Sequence, residues 1–302
     1  MCRMREDQVP SLAEEASASL RLGLPIAFSN LIERGAFWVT WALVGRLGAD
    51  FFGPVSLASS VVNAFGISIT IGLSIAVSTL ASQASGARSD EALGLVLQRA
   101  LPVNVVFCLP IVLLLLTLEP ILLACGLDDT FATRAGKYGL TLIPAAVCTG
   151  ALRVLQTWLS AQSITQPQLV LACVMLPVHA LLCWALTYRS PLGYLGAGVA
   201  MSLSMALRVG ALYSFIRLSP RCRASYPGFR PRDAFTGWRA YLALALPGVA
   251  MLSEYWVGEI LMLAAAKLPQ AAATLSALAI YQLGNTTVYQ VRQSGLRPDV
   301  RG

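Results

Sequence analysis

Histidine is nearly absent from this 302-residue chain, which contains His179 and no other. None of its seven cysteines is spaced as C-x-x-C, so a zinc site or a disulfide framework has little to be built from. The apolar segments also lack HExxH, GxSxG and paired aspartates, one of which an intramembrane enzyme would need. We therefore expect no enzyme activity, no metal site and no cofactor, and we expect His179 to be a packed or hydrogen-bonded residue.

Charged residues are also scarce, at 12% of the chain against about 25% in an ordinary soluble domain. Hydrophobic residues make up 56% and the mean hydropathy is +0.67, so the composition predicts an integral membrane protein whose main partner is the lipid bilayer. The net charge of +7 comes from arginines in short segments between apolar runs, with no basic, aromatic-rich helix. This pattern argues against a nucleic-acid partner.

Eight apolar runs are close to the ~20 residues that cross a bilayer. They lie near 22–45, 54–80, 100–118, 138–161, 168–188, 194–216, 241–266 and 274–291. The predicted fold is all-α: a polytopic transmembrane bundle with a complete six-helix N-terminal lobe and about two helices of a second lobe. The predicted regions are a polar tail at 1–20, the first lobe at 21–217, a basic loop at 218–240, a partial second lobe at 241–291 and a tail at 292–302.

Arginine placement predicts the orientation. The connection between the sixth and seventh runs has six arginines, from Arg217 to Arg239, against the single acid Asp233. Cytoplasmic loops carry such an excess. We expect this loop, the loop around Arg88 and both termini to be cytoplasmic; the sequence leaves open whether the membrane is plasma or vacuolar.

The seventh run carries two glutamates, Glu254 and Glu259, at bilayer depth. A carboxylate there costs roughly 2.5–3.5 kcal/mol on insertion scales, so such residues are functional candidates, here for binding protons or a cation. The same run restarts the pattern of the first, because Leu244-Ala245-Leu246-Pro247 repeats Leu22-Gly23-Leu24-Pro25. Transporters are often built from two such halves, with the substrate site between them.

Six segments in order resemble the multidrug and toxic compound extrusion (MATE) transporters, in particular the DETOXIFICATION branch. They are Leu-Gly-Leu-Pro at 22–25, Val-Gly-Arg-Leu-Gly at 44–48, Gln-Ala-Ser-Gly-Ala at 83–87, Leu-Gln-Arg-Ala at 97–100, Ala-Gln-Ser-Ile at 161–164 and Gly-Ala-Gly-Val-Ala at 196–200. Glu254-Tyr255-Trp256-Val257-Gly258-Glu259 looks like the family's Glu-Trp-Trp-x-x-Glu. The Glu33-Arg34 pair departs from the family pattern.

The resemblance implies a two-lobed antiporter that exports organic cations or other xenobiotics against protons or, in some relatives, sodium. Glu254 would then titrate, with Glu259 as its companion. Candidates for the substrate cavity are Tyr255, Trp256, Tyr281, Gln282, Asn285 and Glu33. We also expect at least four helices of the second lobe to be missing and the 302 residues alone not to carry out coupled transport.

Three other interpretations stay open. Arg34, Arg153 and Arg208 match Glu33, Glu254 and Glu259 in number, so structural ion pairs could explain all six. A lipid-linked sugar flippase of the same superfamily would point several arginines into one cavity, to bind pyrophosphate. A nonfunctional or assembly-dependent fragment is the third. Substrate and oligomeric state stay undetermined.

Overall fold

Every regular element in the described part of the chain is a helix. The structure is a computed structural model that describes residues 12–252 apart from 227 and 229, with side chains from residue 23 onward apart from 67, 68, 231 and 252. The helices are α1 (Leu12–Gly45), α2 (Ala49–Val61), α3 (Ser68–Gly86), α4 (Asp90–Phe107), α5 (Leu109–Leu116), α6 (Leu118–Ala124), α7 (Asp129–Ala161), α8 (Gln166–Trp184), α9 (Tyr194–Leu218), α10 (Pro220–Arg223), α11 (Pro231–Ala234) and α12 (Trp238–Leu252). π-Helical turns at Val62–Ile67 and Ala185–Arg189 join α2 to α3 and extend α8.

Five helical segments of the described part are long and apolar enough to cross a membrane. They are Ala49–Gly86, Asp90–Leu116, Asp129–Ala161, Gln166–Arg189 and Tyr194–Leu218, which correspond to the second to sixth predicted spans. The first predicted span lies in α1, whose mean hydropathy is lowered by Asn30, Glu33 and Arg34. The all-α, polytopic fold predicted from the sequence is confirmed.

Helix boundaries differ from the predicted spans because apolar runs mark bilayer contact, whereas helices continue beyond it. α1 begins at Leu12, inside the predicted tail, and its 34 residues reach about 51 Å, well beyond a ~30 Å hydrocarbon core. α12 begins at Trp238, inside the predicted loop. The expected division between the fourth and fifth spans is confirmed, since α7 ends at Ala161 and α8 begins at Gln166.

Side-chain caps mark the membrane-surface ends of two long helices. Ser89 accepts a hydrogen bond from the Ala92 amide at the start of α4. Asp128 accepts from the amides of Thr130 and Phe131 at the start of α7. The Phe131 amide contributes most to holding the pKa of Asp128 below its usual value, so this carboxylate stays charged and continues to cap α7 in mildly acidic solution.

The core lies around α7, which packs against α9, α2, α3 and α4. Trp158 of α7 is fully buried and its indole Nε1 donates to the carbonyl of Leu93, which ties α7 to α4. Gly198 of α9 lies where a side chain would collide with Thr141 of α7. Small residues at such crossings let helices approach closely in a membrane, where no hydrophobic force drives their association.

The hydroxyl of Ser202 in α9 replaces one backbone hydrogen bond of α7, beside Pro144. The hydroxyl donates to the carbonyl of Thr141 (2.5 Å) and accepts from the amide of Ala145 (3.2 Å), two groups that would otherwise bond each other. Pro144 cannot continue the regular backbone pattern. Backbone groups freed in this way must find partners in a bilayer, and α9 supplies them.

The basic loop docks back onto the bundle before α12 begins. The amide of Arg230 donates to Gln98 Oε1 at 2.8 Å, and the hydroxyl of Ser225 donates to Asp90 Oδ1 at 2.7 Å. α12 then packs against α3, and the buried Tyr241 hydroxyl donates to the carbonyl of Leu73. α1 and α12 each enclose the proline of the repeated motif, Pro25 and Pro247.

Candidate functional site: a polar cluster inside the first lobe

Glu33 is the one candidate site residue from the sequence that lies among the described residues. The other candidates lie outside them: Glu254, Tyr255, Trp256, Glu259, Tyr281, Gln282 and Asn285. Their roles therefore stay predictions. The described lobe nevertheless brings several polar residues of α1, α7 and α9 together in its interior.

Glu33 of α1 forms an ion pair with Arg208 of α9, with 3.7 Å between Oε1 and Nη1. The Arg208 side chain is only 3% exposed and that of Glu33 is 14% exposed. Gln156 of α7 donates its amide Nε2 to the same carboxylate oxygen at 2.6 Å. Glu33 thus joins three helices, which agrees with the structural ion-pair interpretation for this residue.

The neighbouring arginines each have a different partner. Arg153 of α7 donates from Nη1 to the amide oxygen of Asn30 at 3.3 Å. The guanidinium of Arg34 lies 5.9 Å from the centre of the Phe37 ring, within cation–π distance. We name the interior group formed by Asn30, Glu33, Arg153, Gln156 and Arg208 the interior cluster.

The interior cluster contains more positive than negative charge, with Arg153 and Arg208 against Glu33. Nη1 and Nη2 of Arg208 are buried and neither has a hydrogen-bond partner. A buried guanidinium that is only partly compensated depends strongly on its one carboxylate, because removing either member of a buried pair leaves an isolated charge. The cluster therefore fixes α1 and α9 relative to each other by electrostatics.

A second polar contact lies nearby, around His179 of α8. The imidazole is 1% exposed, with Nε2 3.0 Å from the hydroxyl of Thr40 and Nδ1 2.9 Å from the hydroxyl of Ser204. A neutral ring donates through one nitrogen and accepts through the other, so the two hydroxyls take opposite roles. The expectation that His179 is hydrogen-bonded is confirmed, and it links α1, α8 and α9.

A small cavity of about 30 Å³ lies beside this contact and is lined by Thr40, Tyr138, Thr149 and Met205, among others. Such a volume holds a water molecule or two, since one water needs roughly 10–15 Å³ by this kind of measure. An organic cation is far larger. This cavity is thus a feature of lobe packing and does not hold substrate.

The flippase alternative stays open. Arg153 and Arg208 lie in the same interior cluster, whereas Arg34 lies against Phe37, and none of the three lines the small cavity. A pyrophosphate site would bring several such side chains to one space.

Asn30 and Gln156 were missed by the sequence reasoning, as were Thr40 and Ser204. Amides are rare in lipid-facing positions, so Asn30 and Gln156 within apolar runs were a usable signal. The two hydroxyls gave none, because serine and threonine in a membrane helix can also bond their own backbone. Thr40 and Ser204 each lie within hydrogen-bond distance of a carbonyl one turn earlier, those of Ala36 and Ala200, and the hydroxyl that donates to the His179 ring gives up that backbone bond.

The apolar spans and the buried interhelical ion pair define the class of the protein, which is a polytopic helical membrane protein. Comparison with known proteins then identifies the family. The MatE family model matches residues 25–185. Protein DETOXIFICATION 16 of Arabidopsis thaliana is 31% identical over 282 residues, which cover 93% of this chain and 58% of that protein. Protein DETOXIFICATION 12 of Arabidopsis thaliana is 35% identical over 254 residues, covering 84% and 53%.

Solved structures agree. The eukaryotic MATE transporter AtDTX14 matches with a TM-score of 0.88 and 28% identity, over 93% of this chain and 63% of that one. A MOP superfamily transporter from Pyrococcus furiosus has a TM-score of 0.75 at 17% identity, over 92% and 62%, and shares the fold.

The chain belongs to the MATE family. Members of this family are transporters, in keeping with the expectation that the chain is not an enzyme. It spans a little more than half of the length of both DETOXIFICATION relatives.

Proposed function

We propose that the protein acts as a secondary active antiporter that exports organic cations or other xenobiotics in exchange for protons or sodium. The observation that carries the proposal is membership in the MATE family, together with a resemblance to the Glu-Trp-Trp-x-x-Glu motif at Glu254 to Glu259. In this proposal Glu254 binds the coupling ion, and Tyr255 and Trp256 contact the substrate.

Charge competition explains how one carboxylate performs exchange. A site that holds either a proton or an organic cation, but not both, couples the two movements when it faces the two sides of the membrane alternately. Glu259 lies five residues beyond Glu254, so the two side chains point about 140° apart on a helix and cannot share one small site. Glu254 is the titrating residue in the proposal and Glu259 is a neighbour that faces another helix.

The interior cluster has a supporting role in the same proposal. Glu33 is engaged by Arg208 and Gln156, which leaves its carboxylate occupied. We propose that it holds the first lobe rigid while Glu254 exchanges the coupling ion.

The test uses vesicles with an imposed pH or sodium gradient and a fluorescent organic cation. Efflux is measured for the 302-residue chain and for a chimera in which the remaining C-terminal part of DETOXIFICATION 16 follows it. The sequence predicts efflux only from the chimera. In the chimera we expect Glu254→Gln to lower gradient-driven efflux at least about tenfold, because glutamine cannot bind and release a proton as glutamate does.

Glu259→Gln is the matched control, since it makes the same change one and a half turns away, and we expect a smaller loss. Flotation of the vesicles verifies that all variants insert. Equal pH-dependent efflux by the parent and Glu254→Gln would remove Glu254 from the mechanism, and absence of efflux under any gradient would refute the proposed function.

A further inference from the structure

A cavity of about 400 Å³ opens at one end of the bundle, and none of the residues of the interior cluster lines it. We call it the end pocket. Its walls come from three connections that are far apart in the sequence: residues 84–93 between α3 and α4, residues 162–164 between α7 and α8, and residues 221–225 after α9. Small-molecule sites typically measure about 300–1,000 Å³, so the end pocket is large enough for a ligand of headgroup size.

Hydrogen-bond donors dominate the chemistry of this pocket. Arg88 and Arg221 each bring a guanidinium, Gln162 an amide and Ser163 a hydroxyl. Asp90 is the acid in the lining, and its Oδ1 accepts a hydrogen bond from Ser225 at 2.7 Å. Two arginines against one aspartate leave the lining with a net charge of +1.

Within the part of the chain that the structure describes, neither Arg88 nor Arg221 forms an ion pair with a carboxylate; the Glu33–Arg208 pair lies in the bundle interior. Arg88 and Arg221 are both exposed, so their guanidinium groups are free to meet a ligand. The N-terminus of α4, an 18-residue helix, also opens at this pocket and adds a partial positive charge.

The backbone is strained at this pocket. Arg88 has φ 52° and Ser163 has φ 60°, and these are the two non-glycine residues with positive φ in the part of the chain that the structure describes. Residues other than glycine adopt this conformation rarely and at a cost, and such positions cluster at binding sites. Both residues line the end pocket, although they lie on loops 75 residues apart in the sequence. Glycine would adopt this conformation without strain, but these positions carry an arginine and a serine.

The position of the pocket favours a ligand from the membrane surface. α3, α7 and α9 end here and α4 and α8 begin here, so the pocket lies where the spans leave the bilayer. The basic loop after α9 forms one wall, and basic segments next to a membrane attract anionic lipids. Arginine pairs well with phosphate because its planar group donates two parallel hydrogen bonds.

We propose that the end pocket binds a phosphate-bearing headgroup, held by Arg88 and Arg221 and by the donors of Gln162 and Ser163. The volume exceeds that of bare phosphate, so the ligand carries a further polar group such as a sugar or inositol ring. The source is an anionic phospholipid in the adjacent leaflet or a soluble phosphorylated compound of the same chemistry.

The experiment uses the purified 302-residue chain in detergent and native mass spectrometry to measure bound lipid. The probes are phosphatidylinositol 4-phosphate and, for comparison, phosphatidylcholine. Arg88→Asn removes the guanidinium and keeps a residue that tolerates positive φ, and Arg221→Gln removes the other guanidinium from the short, exposed α10. Loss of a charge-assisted hydrogen bond weakens binding at least about tenfold, which is the change we expect in each variant.

Arg223→Gln is the matched control, because Arg223 lies two residues from Arg221, is exposed and does not line the pocket. We expect its affinity to stay within about twofold of the parent. Gel filtration verifies folding. If Arg88→Asn fails to fold, the lipid affinity of Arg221→Gln, compared with that of the parent, tests the pocket by itself.

A second measurement adds soluble inositol phosphate as a competitor for the bound lipid. Displacement of the lipid by the free headgroup identifies a soluble ligand source, and absence of displacement identifies a lipid that also needs its acyl chains; both results support the pocket. Equal losses in Arg223→Gln and the pocket variants, or equal affinity of the parent for the two lipids, would overturn the proposal.

Discussion

At the scale of single residues, the Glu33–Arg208 pair leads to a prediction about stability. Arg208 is buried and Glu33 is 14% exposed, Nη1 and Nη2 of Arg208 have no hydrogen-bond partner, and Oε1 of Glu33 lies 3.7 Å from Nη1. The charged guanidinium of Arg208 is tolerated in this interior because Glu33 and the amide of Gln156 form a polar environment around it.

We expect Glu33→Gln to destabilise the first lobe by about 3–5 kcal/mol, because it strands the charge of Arg208 in a low-dielectric interior. Thermal unfolding in detergent measures the change. Glu91→Gln, the same substitution at an exposed position in the first turn of α4, is the control and should change stability by about 0.5 kcal/mol or less.

The double variant Glu33→Gln/Arg208→Gln separates pairing from packing. If the pair acts through charge, the double variant should lose less than the sum of the two single variants, by about 1–3 kcal/mol. Strict additivity of the three measurements would show that the two residues are not coupled.

At the scale of helices, the contact between α3 and α12 depends on two glycines. A Cβ on Gly72 would lie 2.6 Å from the backbone of Val249, and one on Gly248 would lie 2.8 Å from the carbonyl of Gly72. The two backbones therefore touch. Tyr241 anchors the same contact through its hydrogen bond to Leu73.

Gly72→Ala should loosen α12 from the first lobe, at a cost of about 1–3 kcal/mol, because backbone atoms cannot move aside as a flexible side chain would. Thermal unfolding of the purified chain is again the measurement. Gly210→Ala in α9 is the matched control, since no atom lies within 4 Å of its added Cβ, and it should be neutral or slightly stabilising. A Gly72→Ala protein as stable as the Gly210→Ala protein would contradict the close packing.

At the scale of the whole molecule, the end pocket bears on topology. Because three connections after even-numbered spans line one cavity, they lie on the same side of the membrane, as the alternation of spans requires. The excess of arginine in the loop after α9 predicts that this side is cytoplasmic.

A cysteine at Ala224 tests the orientation, with the native cysteines replaced by alanine. Ala224 is exposed, whereas its neighbour Ser225 is 3% exposed and bonded to Asp90 and would resist labelling on either side. In intact cells a membrane-impermeant thiol reagent should leave Ala224→Cys unlabelled and should label Ala49→Cys, which is exposed at the start of α2. The reverse labelling pattern would invert the predicted topology.

The amino-acid sequence was sufficient to predict the class of the protein, its second to sixth helical spans and its family, because hydropathy and short motifs are local properties that do not depend on packing. It also located Glu33 as an unusual charge. It left open whether Glu33 pairs with its neighbour Arg34 or with an arginine on another helix. In the tertiary structure the partner is Arg208, which is 175 residues away in the sequence.

Three further features are visible only in the tertiary structure. Ser202 bonds the backbone groups beside Pro144, and Ser225 is buried. Residues 84–93, 162–164 and 221–225 enclose one pocket. The physical reason is that apolar helices in a bilayer have similar surfaces, so hydropathy does not specify which faces meet. That choice rests on small-residue contacts and on a few polar side chains finding partners across long separations.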